Sequence, residues 1–365
     1  MGTSSHPATA LSIGMSAGIA NSFFRDTMSH RWPRSHRSGR QPIVMKRNLL
    51  TLFLLIGVFM QPALAASFDG PLQVRNQFPI FLPLDPPYLE SAAVRDSATV
   101  ALTHSSVYVI VTASPWTVNM DLELTELNIR LKKTLGKRTE LGLDIPFLRP
   151  TEGFLDRPLA NFHDALGTGD YGRHERPDNE FLYELLYQGR PVIIPESDKA
   201  GIGDVRMTLK RVVNDANPLV SLMANVELPT GDAKTGYGNG SVDAAFAVLV
   251  DLDLGKVYRG YGNAGVIVPG DLKGYETIPM RTYAYAGFGV EAAWWDHFSV
   301  IAQIVVAGSP YPETGIRQVD WPGVLLTFGG RYSFGSSNLE FSLTEDPDTA
   351  GVPDFMANVT YTMSF

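Results

Sequence analysis

Beyond residue 65 the chain has histidines at 104, 163, 174 and 297, and two of them have neighbours that could do chemistry. His104 precedes Ser105 and Ser106, and His163 precedes Asp164. From such pairs a nucleophile and its base, or a base and its orienting acid, can be built. Spacing weighs against both. Adjacent residues of a strand point to opposite faces, so His104 cannot easily use Ser105, and His163 with Asp164 has no visible nucleophile. Scattered histidines and a complete lack of cysteine leave no ligand set for a metal. No catalytic role, cofactor or metal is therefore expected.

Polar residues that alternate with apolar ones are more telling. In 219–228, Val220, Leu222, Ala224, Val226 and Leu228 oppose Ser221, Asn225 and Glu227. In 242–254, Val242, Phe246, Val248, Val250 and Leu252 oppose Asp243, Asp251 and Asp253. Arg130, Asp144, Arg206, Lys210, Glu291, Gln303, Arg331 and Glu340 hold equivalent places elsewhere. A period of two with one apolar and one polar face is a strand between two solvents. A charge in hydrocarbon costs about 2–4 kcal/mol at the bilayer midplane, so these residues belong in a lumen.

Twelve such segments can be read, at 99–112, 119–134, 139–147, 204–213, 219–228, 242–254, 257–268, 282–294, 298–307, 324–334, 338–344 and 355–365. The second loses its alternation near Thr125–Glu126, which predicts a bulge. Short turns at 135–138, 214–217, 255–256, 295–297 and 335–337 alternate with long connections at 148–203, 229–241, 269–281, 308–323 and 345–354. That asymmetry predicts an all-β fold: one transmembrane antiparallel β-barrel of about 12 strands over 98–365, with long extracellular loops and short periplasmic turns. Trp294, Trp295, Trp321, Tyr258, Tyr261 and Tyr332 are expected at its interfacial girdles.

At Met45 a basic start, an apolar run over 49–60 and the small residues Ala63 and Ala65 form a secretory signal, with cleavage expected after Ala65. Residues 45–65 are thus a signal peptide, and 1–44 an upstream extension outside the true start. Residues 1–65 hold seven of the 30 Lys and Arg but one of the 38 Asp and Glu, so the exported chain has a net charge of about −14. Nucleic acid is excluded as a partner. Residues 66–97 are rich in proline, which bars a central strand. They are either a periplasmic lead-in or a plug at the barrel mouth.

The last strand, with Tyr361 and a terminal Phe365, looks like the C-terminal signal through which the barrel-assembly machinery recognises and closes outer-membrane barrels. The other motifs run in order: GFLDRPLANFHDALGTGDYGR at 153–173, GIGD at 201–204, LPTGD at 228–232, GNGSVD at 238–243, SPYPETG at 309–315 and TEDPDTAGVPDF at 344–355. Together they resemble a bacterial outer-membrane family catalogued only as a domain of unknown function. Through the PTGD and GxGD turns they are more loosely similar to the barrel family linked to aromatic-compound degradation operons. The first resemblance implies a Gram-negative outer membrane and its lipid, but no mechanism.

The expected function is a narrow passive channel or small-solute uptake barrel, with a lipid-acting enzyme or a non-transporting structural barrel as alternatives. The solute is unknown. Excess acid weakly favours cations or neutral solutes. Residues 153–173, with Gly153, Phe154, Leu155, Asp156, Phe162, His163, Asp164 and Arg173, have helix-like apolar spacing and are expected to fold inward and constrict the lumen. There Asp156, Arg157, His163 and Asp164 would meet lumen charges such as Arg206, Arg331 and Glu340. Asp204, Arg206, Glu227, Asp243, Arg331 and Glu340 complete the candidate lumen and loop residues.

Overall fold

Alternating β-branched and aromatic residues, interrupted by Gly, Pro and Asn, build strands wherever the sequence has period two. The computed structural model describes residues 68–365 except 85, 167–172, 174–175 and 348–349, with backbone alone at 84 and 162–166. The signal-peptide and upstream-extension expectations, and the cleavage site, lie outside the described residues.

Twelve long strands form the wall: β1 Ser97–Ala113, β2 Trp116–Leu135, β3 Thr139–Thr151, β4 Val205–Asn214, β5 Leu219–Leu228, β6 Asp243–Asp253, β7 Tyr258–Val268, β8 Tyr283–Ala292, β9 Phe298–Ala307, β10 Gly323–Phe334, β11 Ser337–Glu345 and β12 Phe355–Ser364. Each pairs antiparallel with the next. β12 returns to β1, from Ser97 opposite Ser364 to Ser106 opposite Phe355, and closes the barrel. Closure leaves no open edge in the wall, the condition for spanning a bilayer with strands. Val100, Leu102, Leu131, Leu209, Leu222, Phe246, Phe288, Phe341 and Val359 all point outward and are exposed, forming the lipid-facing belt.

Five tight turns gather at one end and the long connections at the other. The β1–β2 connection departs from this rule. It lies on the long-loop side yet turns on Ser114–Pro115 alone; the strands themselves are long, 17 and 20 residues, and rise above the rest of the wall. A hairpin, Leu182–Tyr187 with Arg190–Ile193, adds to the raised edge of β2 by pairing Trp116–Asp121 with Leu182–Tyr187.

This extension corrects the expected bulge. β2 runs in unbroken register against both β1 and β3. Its inward row is Trp116, Val118, Met120, Leu122, Leu124, Glu126, Asn128 and Arg130, its outward row Asp121, Glu123, Thr125, Leu127, Ile129 and Leu131. Surroundings change while the backbone continues. In the membrane, apolar residues face lipid and polar ones the lumen; above it, apolar residues face an enclosed cap and polar ones point out. Phe78, Phe81, Val107, Trp116, Leu185, Val192 and Tyr311 pack into that cap.

The aromatic girdle forms mainly at the short-turn end. There Tyr258, Trp294, Trp295 and Phe298 make successive ring contacts of 5.5–6.2 Å, and Tyr332 packs against Phe334 at 6.0 Å. Trp321 lies at the opposite end and is exposed. Tyr261 does not join either. It points into the lumen, 1% exposed, because its hydroxyl has partners there.

Candidate functional site

Residues 69–95 run as a plug through the barrel interior, bonded to lumen-facing Arg331, Gln303 and Asn263 at residues 70, 72 and 90. It begins at the short-turn end, where Asp69 meets Arg95 at 3.0 Å, and climbs to a 3-10 turn, Leu82–Leu84. It then descends to Arg95 and enters β1. Proline suits this path because an extended segment outside a ladder needs no regular amide donors.

The lumen charges found by alternation face this plug or one another. Arg331, 1% exposed, donates to Glu291 at 2.5 Å, Glu340 at 2.8 Å and the Gly70 carbonyl at 2.6 Å. Arg130 pairs with Asp144 and with plug residue Glu90, the latter at 2.5 Å, and its guanidinium lies 4.1 Å from the centre of the Tyr88 ring. Lys132 also meets Glu90, at 2.5 Å. Plug residue Arg75 reaches Glu126 at 3.0 Å. Arg206 pairs with Glu227 at 2.7 Å and Lys210 with Glu140 at 3.0 Å. Buried charges persist only when paired and hydrogen-bonded, and this set is.

What space remains beside the plug differs by end. A polar pocket at the short-turn mouth includes Asp69, Lys132, Lys210 and Glu340. A mainly apolar one at the loop end includes Phe81, Tyr283, Trp321 and Val352.

The expected inward fold of 153–173 is not what the described residues adopt. They lie on the outward face of raised β1 and β2, where His104, Ser106, Tyr108, Asp121 and Glu123 point away from the lumen. Glu123 Oε1 accepts from the amides of Phe154 at 2.8 Å and Leu155 at 2.5 Å, while Oε2 meets His104 Nε2 at 2.7 Å. Gly153 has φ +77°, and a Cβ there would sit 2.0 Å from Glu123 Cδ, so only glycine lets the chain approach this closely. Phe154 stacks on His104 at 5.3 Å. A helix, Asp156–Leu166, follows. Arg173, 7% exposed, joins Asp156 at 2.5 Å, Asp354 at 2.5 Å and Ser106 Oγ at 3.0 Å. Burial pushes the Asp354 carboxyl up to about 6 despite the pull of Arg173. The lumen was already filled by the plug, and the polar outer face of the raised strands needed covering. Asp156 and Arg157 thus pair with Arg173 and Asp178, not with lumen charges. The side chains of Phe162, His163 and Asp164 lie outside the described residues.

His104 Nδ1 meets Thr125 Oγ1 at 2.8 Å, so both its ring nitrogens are engaged and neither bonds a serine.

The remaining motifs meet at the loop end. Asp204 of GIGD accepts from the amides of Gly231 (2.8 Å) and Asn239 (2.9 Å), joining it to PTGD and GNGSVD. Asp243 is bound by Asn239 Nδ2 at 2.7 Å. Tyr311 of SPYPETG donates to the Ile80 carbonyl at the plug tip, 3.0 Å away. The Gly351 carbonyl accepts from plug residue Asn76 at 2.7 Å. The motifs therefore hold the loops to one another and to the plug tip.

Burial pushes the Asp204 carboxyl up to about 7, against the two backbone donors. A folded pKa above the unfolded value of about 3.9 gives a contribution present in full below pH ~4 and lost as pH rises through 7. The cap is expected to be more stable at pH 5 than at pH 8, with a Tm change of about 2–4 °C per kcal/mol. Thermal melting in detergent reads this, and Asp204→Asn should flatten the dependence; an unchanged slope would remove Asp204 as its source.

The whole barrel and its plug fall within a single family match. Residues 49–365 match the model described as "Protein of unknown function (DUF3187)". The chain belongs to this family. No curated protein matches it in sequence. Among solved structures, the COG4313 outer membrane channel from Pseudomonas putida F1 aligns with TM-score 0.51 and 17% identity, over 77% of this chain and 99% of that one. That likeness is one of fold: an outer-membrane β-barrel. The NanC porin gives TM-score 0.41 and 7% identity over 74% and 98% of the two chains. The P. putida toluene transporter TodX gives 0.37 and 11% over 84% and 97%.

Proposed function

We propose that this DUF3187 protein is a gated passive channel for a small solute, with residues 69–95 as the gate. The observation that carries this reading is how the plug is held. Among the described residues, no main-chain to main-chain hydrogen bond joins 69–95 to a barrel strand. Its anchors on the wall strands run through side chains such as Gln303, Asn263 and Ser221, so it can leave without breaking the sheet. Excess acid in the exported chain favours cationic or neutral solutes.

Export follows cleavage after Ala65, leaving a short tail before Asp69 at the periplasmic mouth. The C-terminal strand with Tyr361 and Phe365 is read by the assembly machinery, and the belt contacts outer-membrane lipid. The channel reading is tested by tethering. Cysteines replacing Leu72 and Gln303, joined by a short bis-maleimide, should abolish solute flux into proteoliposomes that the uncoupled double variant supports. Equal flux with and without the linker would reject gating by the plug.

A further inference from the structure

The wall's polar groups are aimed largely at the plug's main chain. Gln303 Oε1 accepts from the Leu72 amide at 2.9 Å while Nε2 donates to the Leu72 carbonyl at 3.3 Å. Asn263 repeats this at Glu90, accepting from the amide at 2.7 Å and donating to the carbonyl at 2.8 Å. A carboxamide spanning the N–H and C=O of one residue reads extended backbone and is indifferent to the side chain it carries. Asp251 and Ser221 divide the same work at Ala92, taking its amide at 2.9 Å and its carbonyl at 2.6 Å.

Side-chain recognition is narrower. Leu72 and Leu89 are buried against lumen-facing glycines. A Cβ on Gly287 would stand 2.8 Å from Leu89 Cδ1, its nearest neighbour, whereas one on Gly329 would meet the Phe341 carbonyl oxygen of the adjacent strand at 2.5 Å and Leu72 Cδ1 at 2.9 Å. Glycine within a strand weakens it unless something must come close. At Gly287 a leucine does. The lumen thus offers hollows for branched apolar side chains and paired donors and acceptors for the peptide units beside them.

We propose that the lumen is a peptide-binding site, occupied in this structure by the chain's own segment, and that its exchangeable ligand is an extended oligopeptide bearing leucine-type side chains. As a statement about the transported solute this rests on the channel reading; as a statement about binding it does not. A sugar presents hydroxyls on a ring and no alternating N–H and C=O for Gln303 and Asn263 to span. A small apolar solute would leave those carboxamides unpaired.

The test uses the full-length chain in detergent. Leu72→Asp with Leu89→Asp displaces the plug by placing carboxylates in the hollows. Glu90→Lys, which sets the plug against Arg130 and Lys132, is a second route should the first variant misfold. A fluorescent octapeptide alternating leucine and serine is the probe, read by anisotropy. Saturable binding is expected, at least about tenfold tighter than to the unmutated chain, whose tethered plug competes. N-methylation of alternate peptide nitrogens, which removes donors and keeps side chains, should weaken it by about tenfold or more. Absence of binding, indifference to N-methylation, or equal competition by a glucose oligomer would each overturn the proposal. Peptide binding without solute flux through any variant would reject the channel alone. Flux without peptide binding would reject the peptide site alone.

Discussion

A chain lacking residues 70–92 is expected to fold, insert and conduct, with single-channel conductance on the order of a hundredfold above the leak of the intact protein. The expectation follows from what the plug displaces. With it in place, Arg331, Lys210, Glu291 and Thr360 are all 2% exposed or less, so the lumen has no continuous water path along them. Its removal strips Glu90 from Arg130 and Lys132 and Arg75 from Glu126. In a sealed interior each orphaned charge would be severely destabilising. In an emptied barrel, water enters and solvates them, and the wall pairs Arg130–Asp144, Arg206–Glu227 and Lys210–Glu140 remain. Heat-modifiable gel migration establishes that the variant is folded, and planar-bilayer recording reads the conductance. A folded variant as silent as the intact chain would mean that something other than residues 70–92 closes the barrel.

The wall was legible in the sequence because its cause is local. Two solvents on two faces impose period two on each strand, and the lumen positions of Arg130, Asp144, Arg206, Lys210, Glu291, Gln303, Arg331 and Glu340 follow from parity alone. Parity misled where one face changed solvent midway. Leu122 and Leu124 look out of register beside Glu126 only if the strand is assumed to lie wholly in the membrane. Which of the two readings of residues 66–97 holds, lead-in or plug, was not legible for a different reason. The plug's contacts join residues far apart, Leu72 with Gln303 and Asn76 with Gly351, and no periodicity records such pairs. One signal was present: Gly287, Gly289 and Gly329 sit on the lumen side of strands, where a close approach by another segment is the usual reason for glycine. Residues 153–173 were misplaced because their apolar spacing shows that they pack, not against which side. The polar row His104, Ser106, Asp121 and Glu123 on the outer face held that information.

Replacing Arg331 with methionine is expected to destabilise the protein by about 3–5 kcal/mol, the range for removing one partner from a buried ionic cluster. Arg331 serves three acceptors at once. Without it, Glu291, 0% exposed, keeps Tyr261 at 2.6 Å and Ser299 at 2.7 Å, but Glu340 and the Gly70 carbonyl lose their donor. Methionine fills similar volume, so lost charge pairing and not a cavity dominates. Arg331→Lys should recover only part of the loss, since a single ammonium cannot match a fork directed at two carboxylates and a carbonyl. The temperature at which the folded gel band disappears reads all three proteins. The same substitution in the chain lacking residues 70–92 distinguishes the two roles of Arg331. There the Gly70 carbonyl is gone and water reaches Glu291 and Glu340, so the penalty should fall to about 1 kcal/mol, nearer that of an exposed pair. An undiminished penalty would show that Arg331 stabilises the wall alone and takes no part in holding the plug.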